Sequence, residues 1–242
     1  MYAVFKRELF SLLNSLMAYI IIGVFLLVSG LLLWFFPDTS IINYGYAEMN
    51  GFFSLIPFLF LFLISAITMR SFAEERREGT YVLLASRPLS DWQIILAKYF
   101  ACLILVIFAL IPTLLYYYSI VQLGMPHGNI DGGAVAGSYL GLLLLGAAFT
   151  AMGVFCSAVT KNQVIAFAFA VLFSFIVYSG FDALSKLFAM NFLEDVFAWL
   201  SINEHFQSMS RGVLDTRDLI YFLTFILLFL GLTRLVIGAR KW

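Results

Sequence analysis

The densest group of ionisable side chains lies in the long connection between residues 70 and 98. Its members occupy five consecutive positions: Glu74, Glu75, Arg76, Arg77 and Glu78. Charges of both signs at this spacing pair along a solvated helix, and Gly79 is typical of the residue at which such a helix ends. We interpret these charges as a surface that a partner protein binds through ion pairs. A solvated loop without a partner is the alternative.

Side chains arranged for catalysis are missing. The sequence has no H-E-x-x-H metalloprotease pattern, no G-x-S-x-G nucleophile pattern and no G-x-x-x-x-G-K-[ST] phosphate loop. We therefore expect a chain that is not an enzyme and binds no cofactor of its own. The two histidines, His127 and His205, are expected to be solvated on the same side of the molecule. A metal site formed from both is the less favoured interpretation.

The composition identifies the surroundings of the chain. Of its 242 residues, 63% are apolar, 18% aromatic and only 12% charged, whereas a soluble domain carries about 25% charged residues. A globule of this length has too little interior to bury the excess, so many side chains must face lipid. The formal net charge is +0, which offers no basic surface for nucleic acid.

Six stretches are long and apolar enough to cross a bilayer as helices, which requires roughly 18–25 residues. They cover residues 18–36, 52–69, 99–121, 139–159, 164–181 and 219–237. The first five contain no Asp, Glu, Lys or Arg, which disfavours an ion-coupled carrier because such carriers hold ionisable groups at membrane depth. We predict an all-α integral membrane protein in which residues 1–242 form one transmembrane domain.

Shorter helices are predicted outside the spans. Residues 5–16 have apolar side chains on one face and Lys6, Arg7 and Glu8 on the other, so we expect an interfacial helix before the first span. A slightly extended first span is the alternative. The charged segment predicts a helix between spans two and three. Residues 192–206 mix aromatic and acidic side chains, which favours short outer helices between spans five and six.

The basic residues collect on one side of the membrane. Eleven of the 14 Lys and Arg residues fall in connections on one side, and only Lys186, Arg211 and Arg217 fall on the other. Cytoplasmic connections of membrane proteins carry the excess of Lys and Arg. Both termini are therefore predicted to be cytoplasmic.

Small residues recur along the fourth span. They are Gly133, Gly137, Gly141, Gly146 and Gly153. Small side chains let helices approach closely in lipid, where packing rather than burial drives association. Packing within the chain is the favoured interpretation of this row, and a face towards a pore or a second copy is the alternative.

The connection between spans two and three resembles a known signature. Glu-Glu-Arg-x-x-Gly-Thr at 74–80, Leu-Leu at 83–84, Arg-Pro-Leu-Ser at 87–90 and Lys98 resemble the cytoplasmic segment of ABC-2 type transporter permeases. The turn at 160–163 is similar to the one between spans four and five of that family. Residues 210–218 resemble the branch that contains the gliding-motility permease GldF and the nitrous-oxide-reductase maturation permeases.

This resemblance implies the permease subunit of an ATP-driven exporter in a bacterial cytoplasmic (inner) membrane, acting in gliding motility if the branch holds. Its partners would be two copies of a cytoplasmic ABC ATPase, which hold ATP and Mg²⁺, a second permease copy and the lipid bilayer. The resemblance also implies a coupling helix that contacts the ATPase. Its residues would be Glu74, Glu75, Arg76, Arg77, Glu78, Gly79, Thr80, Leu83 and Leu84. A membrane scaffold or assembly factor that docks a cytoplasmic partner is the alternative.

The charge distribution generates a topology prediction. Reporter fusions near Arg76, Lys161 and Lys241 are expected to be cytoplasmic, because the basic connections stay inside. Fusions near Glu48, Gly128 and Glu204 are expected on the outer side. The measurement is the activity of paired reporters that work on one side of the membrane only. A cytoplasmic reporter at Glu204 would contradict the six-span topology.

Overall fold

The chain folds as a bundle of helices. The computed structural model describes residues 1–36, 41, 48–81, 89–125, 128–187, 192–213 and 215–239. Six helical segments within these residues are long and apolar enough to cross a membrane. The predicted all-helical membrane protein with six spans is therefore confirmed.

The helices are numbered in chain order. The first four are α1 (Tyr2–Leu13), α2 (Leu16–Trp34), α3 (Asn50–Thr68) and α4 (Arg70–Glu78). The third span consists of α5 (Asp91–Leu110), a 3₁₀ turn (Ile111–Thr113) and α6 (Leu114–Leu123). The fourth is α7 (Gly132–Val159), and the fifth combines α8 (Gln163–Phe175), a π-helical turn (Ile176–Gly180) and α9 (Phe181–Leu187). Two short helices, α10 (Phe192–Leu200) and α11 (Ile202–Ser210), precede the sixth span, α12 (Thr216–Gly238).

Two helices begin several residues before the apolar stretches that predict them. Ser90 caps α5 by accepting a hydrogen bond from the Gln93 amide, and the Gln93 side chain in turn accepts one from the Ser90 amide. Asp131 caps α7 by accepting from the amides of Gly133 and Ala134, at 2.9 and 3.1 Å. A first turn that is stabilised by a cap needs no apolar face. Both helices can therefore begin before the apolar stretch that crosses the membrane.

The bundle is built around α7. The apolar part of α7 is 78% buried, whereas the corresponding parts of the first, fifth and sixth spans are only 22%, 28% and 33% buried. The peripheral helices leave large apolar side chains exposed, such as Leu16 at 76% and Leu235 at 68%. Apolar exposure on this scale matches a lipid surround. The fourth span is therefore the core, and the others pack around it.

Glycines allow the other helices to approach α7. A Cβ atom at Gly137 would lie 2.6 Å from the Met209 carbonyl oxygen in α11, and one at Gly153 would lie 2.8 Å from Cβ of Thr68 in α3. Gly141 contacts α11, and Gly146 contacts α3 and α5. Gly133 instead belongs to the capped first turn. At four of the five glycines, the neighbouring helix belongs to the same chain.

The two ends of the bundle differ in charge. We call the end that holds α1, α4 and the start of α5 the basic end, and the end that holds residues 48–50, the start of α7 and α9–α11 the acidic end. Ion pairs join the first set, and one cavity joins the second. Connections that the charge pattern assigns to one side of the membrane therefore lie together in the bundle, and their orientation across the membrane stays a prediction.

Replacing Gly153 is expected to destabilise the bundle. The added methyl of Gly153→Ala overlaps Thr68 in a packed interface, where overpacking costs about 1–3 kcal/mol. Gly23→Ala is the control, because nothing lies within 4 Å of a Cβ at Gly23 and alanine favours a helix. Thermal unfolding in detergent micelles should show a lower midpoint for the first variant only. Equal midpoints would mean that α3 and α7 do not meet as described.

Candidate functional site

A buried lysine organises the basic end. The Lys98 side chain, in the second turn of α5, is 1% exposed. Its Nζ atom lies 2.7 Å from the Ser71 carbonyl oxygen, 3.1 Å from Glu75 Oε1 and 3.2 Å from Glu8 Oε2. An ammonium group removed from water needs such partners to offset its desolvation. One charge thereby connects α1, α4 and α5.

Arg7 completes this group. Its Nη2 atom donates a hydrogen bond to Glu75 Oε1 at 2.9 Å, and the guanidinium also pairs with Glu8. We call Arg7, Glu8, Glu75 and Lys98 the basic-end cluster. Two cations face two carboxylates, so the formal charges balance. Glu75 Oε2 is buried and has no hydrogen-bond partner among the described residues, so the contacts of Glu75 depend on its other oxygen.

A serine from α7 caps α4. The Ser157 hydroxyl accepts hydrogen bonds from the amides of Phe72 and Ala73, each at 3.0 Å, and lies 3.0 Å from the Met69 carbonyl oxygen, to which it donates. The first amides of a helix lack partners within that helix. Residue 69, which precedes α4, offers no side-chain cap, so Ser157 supplies the cap from another helix. The start of α4 is thus fixed to the end of the central span.

Further contacts hold α4 along its length. Arg70 forms a two-point pair with Glu74, at 2.8 and 2.9 Å, and donates to the Ser15 hydroxyl at 3.0 Å. The hydrogen bond from Arg70 is the main reason that the pKa of Glu74 is lowered. Arg76 donates to the carbonyl oxygen of Ala158, in the last turn of α7. The charged helix is therefore attached to α1, α5 and α7.

The far end of α4 faces outwards. Arg77, Glu78, Gly79 and Thr80 are exposed, and Gly79 ends the helix with a φ of 72°, which glycine adopts without strain. Leu83 and Leu84 lie outside the described residues. The nine residues that the family signature marks for coupling therefore divide. Glu74, Glu75 and Arg76 bind within the chain, and residues 77–80, which we call the α4 tip, are presented to the surroundings.

Sequence reasoning missed the inward role of Glu8. It is expected on a water-facing side of α1, yet its side chain is 15% exposed and contacts Lys98. Ser157 stands out in sequence only as a small residue. No sequence signal marks Lys98 as buried, because a lysine at the end of an apolar span ordinarily extends its ammonium group to the membrane interface.

The expectation of two solvated histidines is wrong for His205. His205 is 5% exposed, and its imidazole ring stacks on the Tyr221 ring with centroids 4.0 Å apart. Nδ1 lies 2.7 Å from Asp218 Oδ1, and Nε2 lies 3.0 Å from the Trp199 carbonyl oxygen. A carbonyl only accepts, so Nε2 carries a proton and the bond to Asp218 holds another. This bond fixes α11 to α12.

A metal ion is held by several His, Cys, Asp or Glu side chains that lie close together. Within the part of the chain that the structure describes, no group of three or more His, Cys, Asp or Glu side chains is placed to hold a metal ion. His127 lies outside that part. The arrangement at the basic end is instead mechanical: an exposed charged tip is attached through buried polar contacts to three helices.

Removing the Lys98 charge is expected to loosen the basic end. Lys98→Met leaves the partly buried carboxylates of Glu8 and Glu75 with Arg7 as the one remaining cation of the basic-end cluster, and removing one partner of a buried pair costs up to about 3–5 kcal/mol. The unfolding midpoint in micelles should fall, and α1 should become sensitive to protease. Lys6→Met is the control, because Lys6 is exposed.

A second variant separates charge from packing. Lys98→Met combined with Glu75→Gln removes one charge of each sign, so it should recover part of the stability that Lys98→Met alone loses. If Lys98→Met unfolds like Lys6→Met, the basic-end cluster does not hold the three helices together.

A family of known proteins matches most of the chain. Residues 36–239 match the model of a family described as ABC-2 family transporter protein. A search of curated proteins found no match. The matched range includes α4 and five of the six spans, and so covers well over half of the chain. With its six apolar helices and the charged helix after the second span, the chain belongs to the ABC-2 transporter family of membrane proteins.

Proposed function

We propose that this membrane protein is the permease subunit of an ATP-driven exporter, and that α4 receives the movement of a separate ABC ATPase chain. One observation carries this proposal. The α4 tip is exposed, while the body of the same short helix is bonded to α1, α5 and α7. A helix arranged in this way can pass a displacement at its tip to three parts of the bundle.

The orientation follows from the charges. The basic end would face the cytoplasm, because Lys and Arg collect on that side of a membrane, and the ATPase would bind there. Two ATPase copies would hold ATP and Mg²⁺ and would serve a pair of permeases, this chain and a second copy or a related chain. The bacterial inner membrane and a role in gliding motility complete the proposal, the latter supported only by the resemblance of residues 210–218.

The coupling step is a rigid-body movement. ATP binding would close the two ATPases and push on the α4 tip. Because Ser157 caps the first turn of α4 and Lys98 binds Glu75, α4 cannot shift without α7 and α5. Packed interfaces switch between discrete arrangements rather than deform continuously. The spans would therefore change together the side of the membrane to which they open.

Charge reversal at the α4 tip tests this function. The variant Arg77→Glu/Glu78→Arg keeps the net charge and leaves the buried contacts of α4 intact, so its unfolding midpoint should equal that of the parent. Charge pairs at a desolvated interface each cost about 2–5 kcal/mol when broken. We therefore expect at least about tenfold less ABC ATPase in complexes purified from the native membrane, with a matching loss of ATP hydrolysis.

A control and two contrary outcomes accompany this test. Lys6→Glu changes an exposed charge at the same end away from α4, and it should purify with the ATPase normally. If the tip variant also retains the ATPase and its activity, α4 is not the coupling element. If the parent binds an ATPase but its hydrolysis never moves a solute in vesicles, the scaffold alternative replaces the exporter.

A further inference from the structure

A large cavity opens at the acidic end of the bundle. Its volume is about 880 Å³, within the range of roughly 300–1,000 Å³ typical of small-molecule sites. Four segments form its walls: residues 48–58, residues 129–138, residues 178–182 and α11. The cavity is therefore built from several spans of one chain, at the end opposite to α4.

The charged groups of this wall are mostly negative. Among the described lining residues, Glu48, Asp131 and Asp182 carry carboxylates and Arg211 carries a guanidinium. Asp182 is paired with Lys186 at 2.8 Å. Glu48 and Asp131 have no ion-pair partner among the described residues, and Glu48 accepts a hydrogen bond from the Asn50 side chain. A cleft lined mainly by one sign of charge concentrates solutes of the other sign.

A tyrosine with a buried ring also lines the cavity. Tyr178 is 4% exposed, and its ring packs edge-on against Phe58 and Phe149, with centroids 5.5 and 6.2 Å apart. Its hydroxyl has no hydrogen-bond partner among the described residues. Tyr178 lies in the π-helical turn, a distortion frequent at functional sites. The hydroxyl is therefore available to a solute in the cavity, where an N–H group can donate a hydrogen bond to it.

One helix lines the cavity with a regular face. The residues that α11 contributes at helical spacing are Asn203, Phe206, Gln207 and Ser210. Its opposite face is buried and is held by His205, which is bonded to Asp218 in α12. The orientation of α11 is thus set by buried contacts that do not involve the cavity. A wall fixed in this way is formed before any solute arrives.

Apolar surface completes the site. Met49, Phe53, Phe58 and Phe206 also line the cavity. Aromatic rings attract cations across their faces, and they pack against apolar groups as well. The walls therefore suit a molecule that carries a positive charge at one point and apolar surface elsewhere.

We propose that this cavity binds amphiphilic amines, which are solutes with a protonated amine and an apolar body. The ammonium group donates hydrogen bonds to Glu48, Asp131 and the Tyr178 hydroxyl, and the apolar body packs against the phenylalanine rings. Arg211 excludes a second positive charge from its part of the wall. This proposal names the solute class of the permease proposed above and rests on that role only for the statement that such amines are exported.

The test uses one probe and its neutral form. Dansylcadaverine has a primary ammonium and a fluorescent aromatic body, and its N-acetyl derivative lacks the charge. The full chain in lipid nanodiscs is titrated with each, and fluorescence anisotropy reports binding. The amine should bind saturably and at least about tenfold more tightly than the acetylated probe. The nanodiscs contain zwitterionic lipid only, so partition into lipid cannot produce this preference, because the neutral probe enters such a bilayer at least as readily.

Variants locate the binding. Glu48→Gln/Asp131→Asn should lose most of the preference for the amine, and asparagine keeps the cap on α7. Tyr178→Phe should weaken amine binding several-fold, and Arg211→Gln should strengthen it. Glu204→Gln is the matched control, because Glu204 is an exposed carboxylate on α11 outside the lining, and it should bind like the parent.

Clear outcomes overturn the proposal. Equal affinity of the parent for the two probes would do so, as would unchanged amine binding by the Glu48→Gln/Asp131→Asn variant or an equal loss in Glu204→Gln. Binding is measured without an ATPase, so failure here leaves coupling through α4 untouched. Loss of ATPase association in the α4 tip variant, in turn, says nothing against the cavity.

Discussion

The desolvation of one ammonium group governs the basic end of this protein. Lys98 is removed from water at the start of a long apolar span, and its charge must be met by groups close by. Glu8 and Glu75 provide them. Because these carboxylates belong to α1 and α4, satisfying a single charge fixes the positions of both helices against α5, which belongs to a membrane span. The other polar contacts of α4, made by Ser157, Arg70 and Arg76, form once α4 is held in this position.

The central span extends this constraint through the bundle. At its basic end, α7 supplies Ser157 to the first turn of α4. Along its length, glycines bring α3, α5 and α11 into close contact with it. A helix of 28 residues is about 42 Å long at 1.5 Å per residue, so α7 reaches from α4 to the wall of the acidic-end cavity. In the proposed exporter, it is the element through which a movement at α4 reaches the solute.

The acidic end is held together differently. There a short helix, α11, is fixed by a hydrogen bond between His205 and Asp218, by stacking on Tyr221 and by close approach to Gly137. These contacts leave the polar face of α11 towards the cavity. The basic end therefore carries an exposed helix tip attached to the bundle, and the acidic end carries an open cavity.

The sequence by itself determined the spans, the alternation of charge between the two ends and the location of the charged helix, because lipid imposes length and polarity on each segment independently. Helix caps such as Ser90 are likewise local and follow from spacing. Only the tertiary structure decided that Glu75 faces inwards while Arg77 faces outwards, that Ser157 caps α4 and that His205 is buried beside Asp218. Each of these contacts joins residues on different helices, and the local sequence around a residue does not determine how far apart two helices lie. Packing around the glycines of α7 sets that distance, and it therefore decides which polar groups meet.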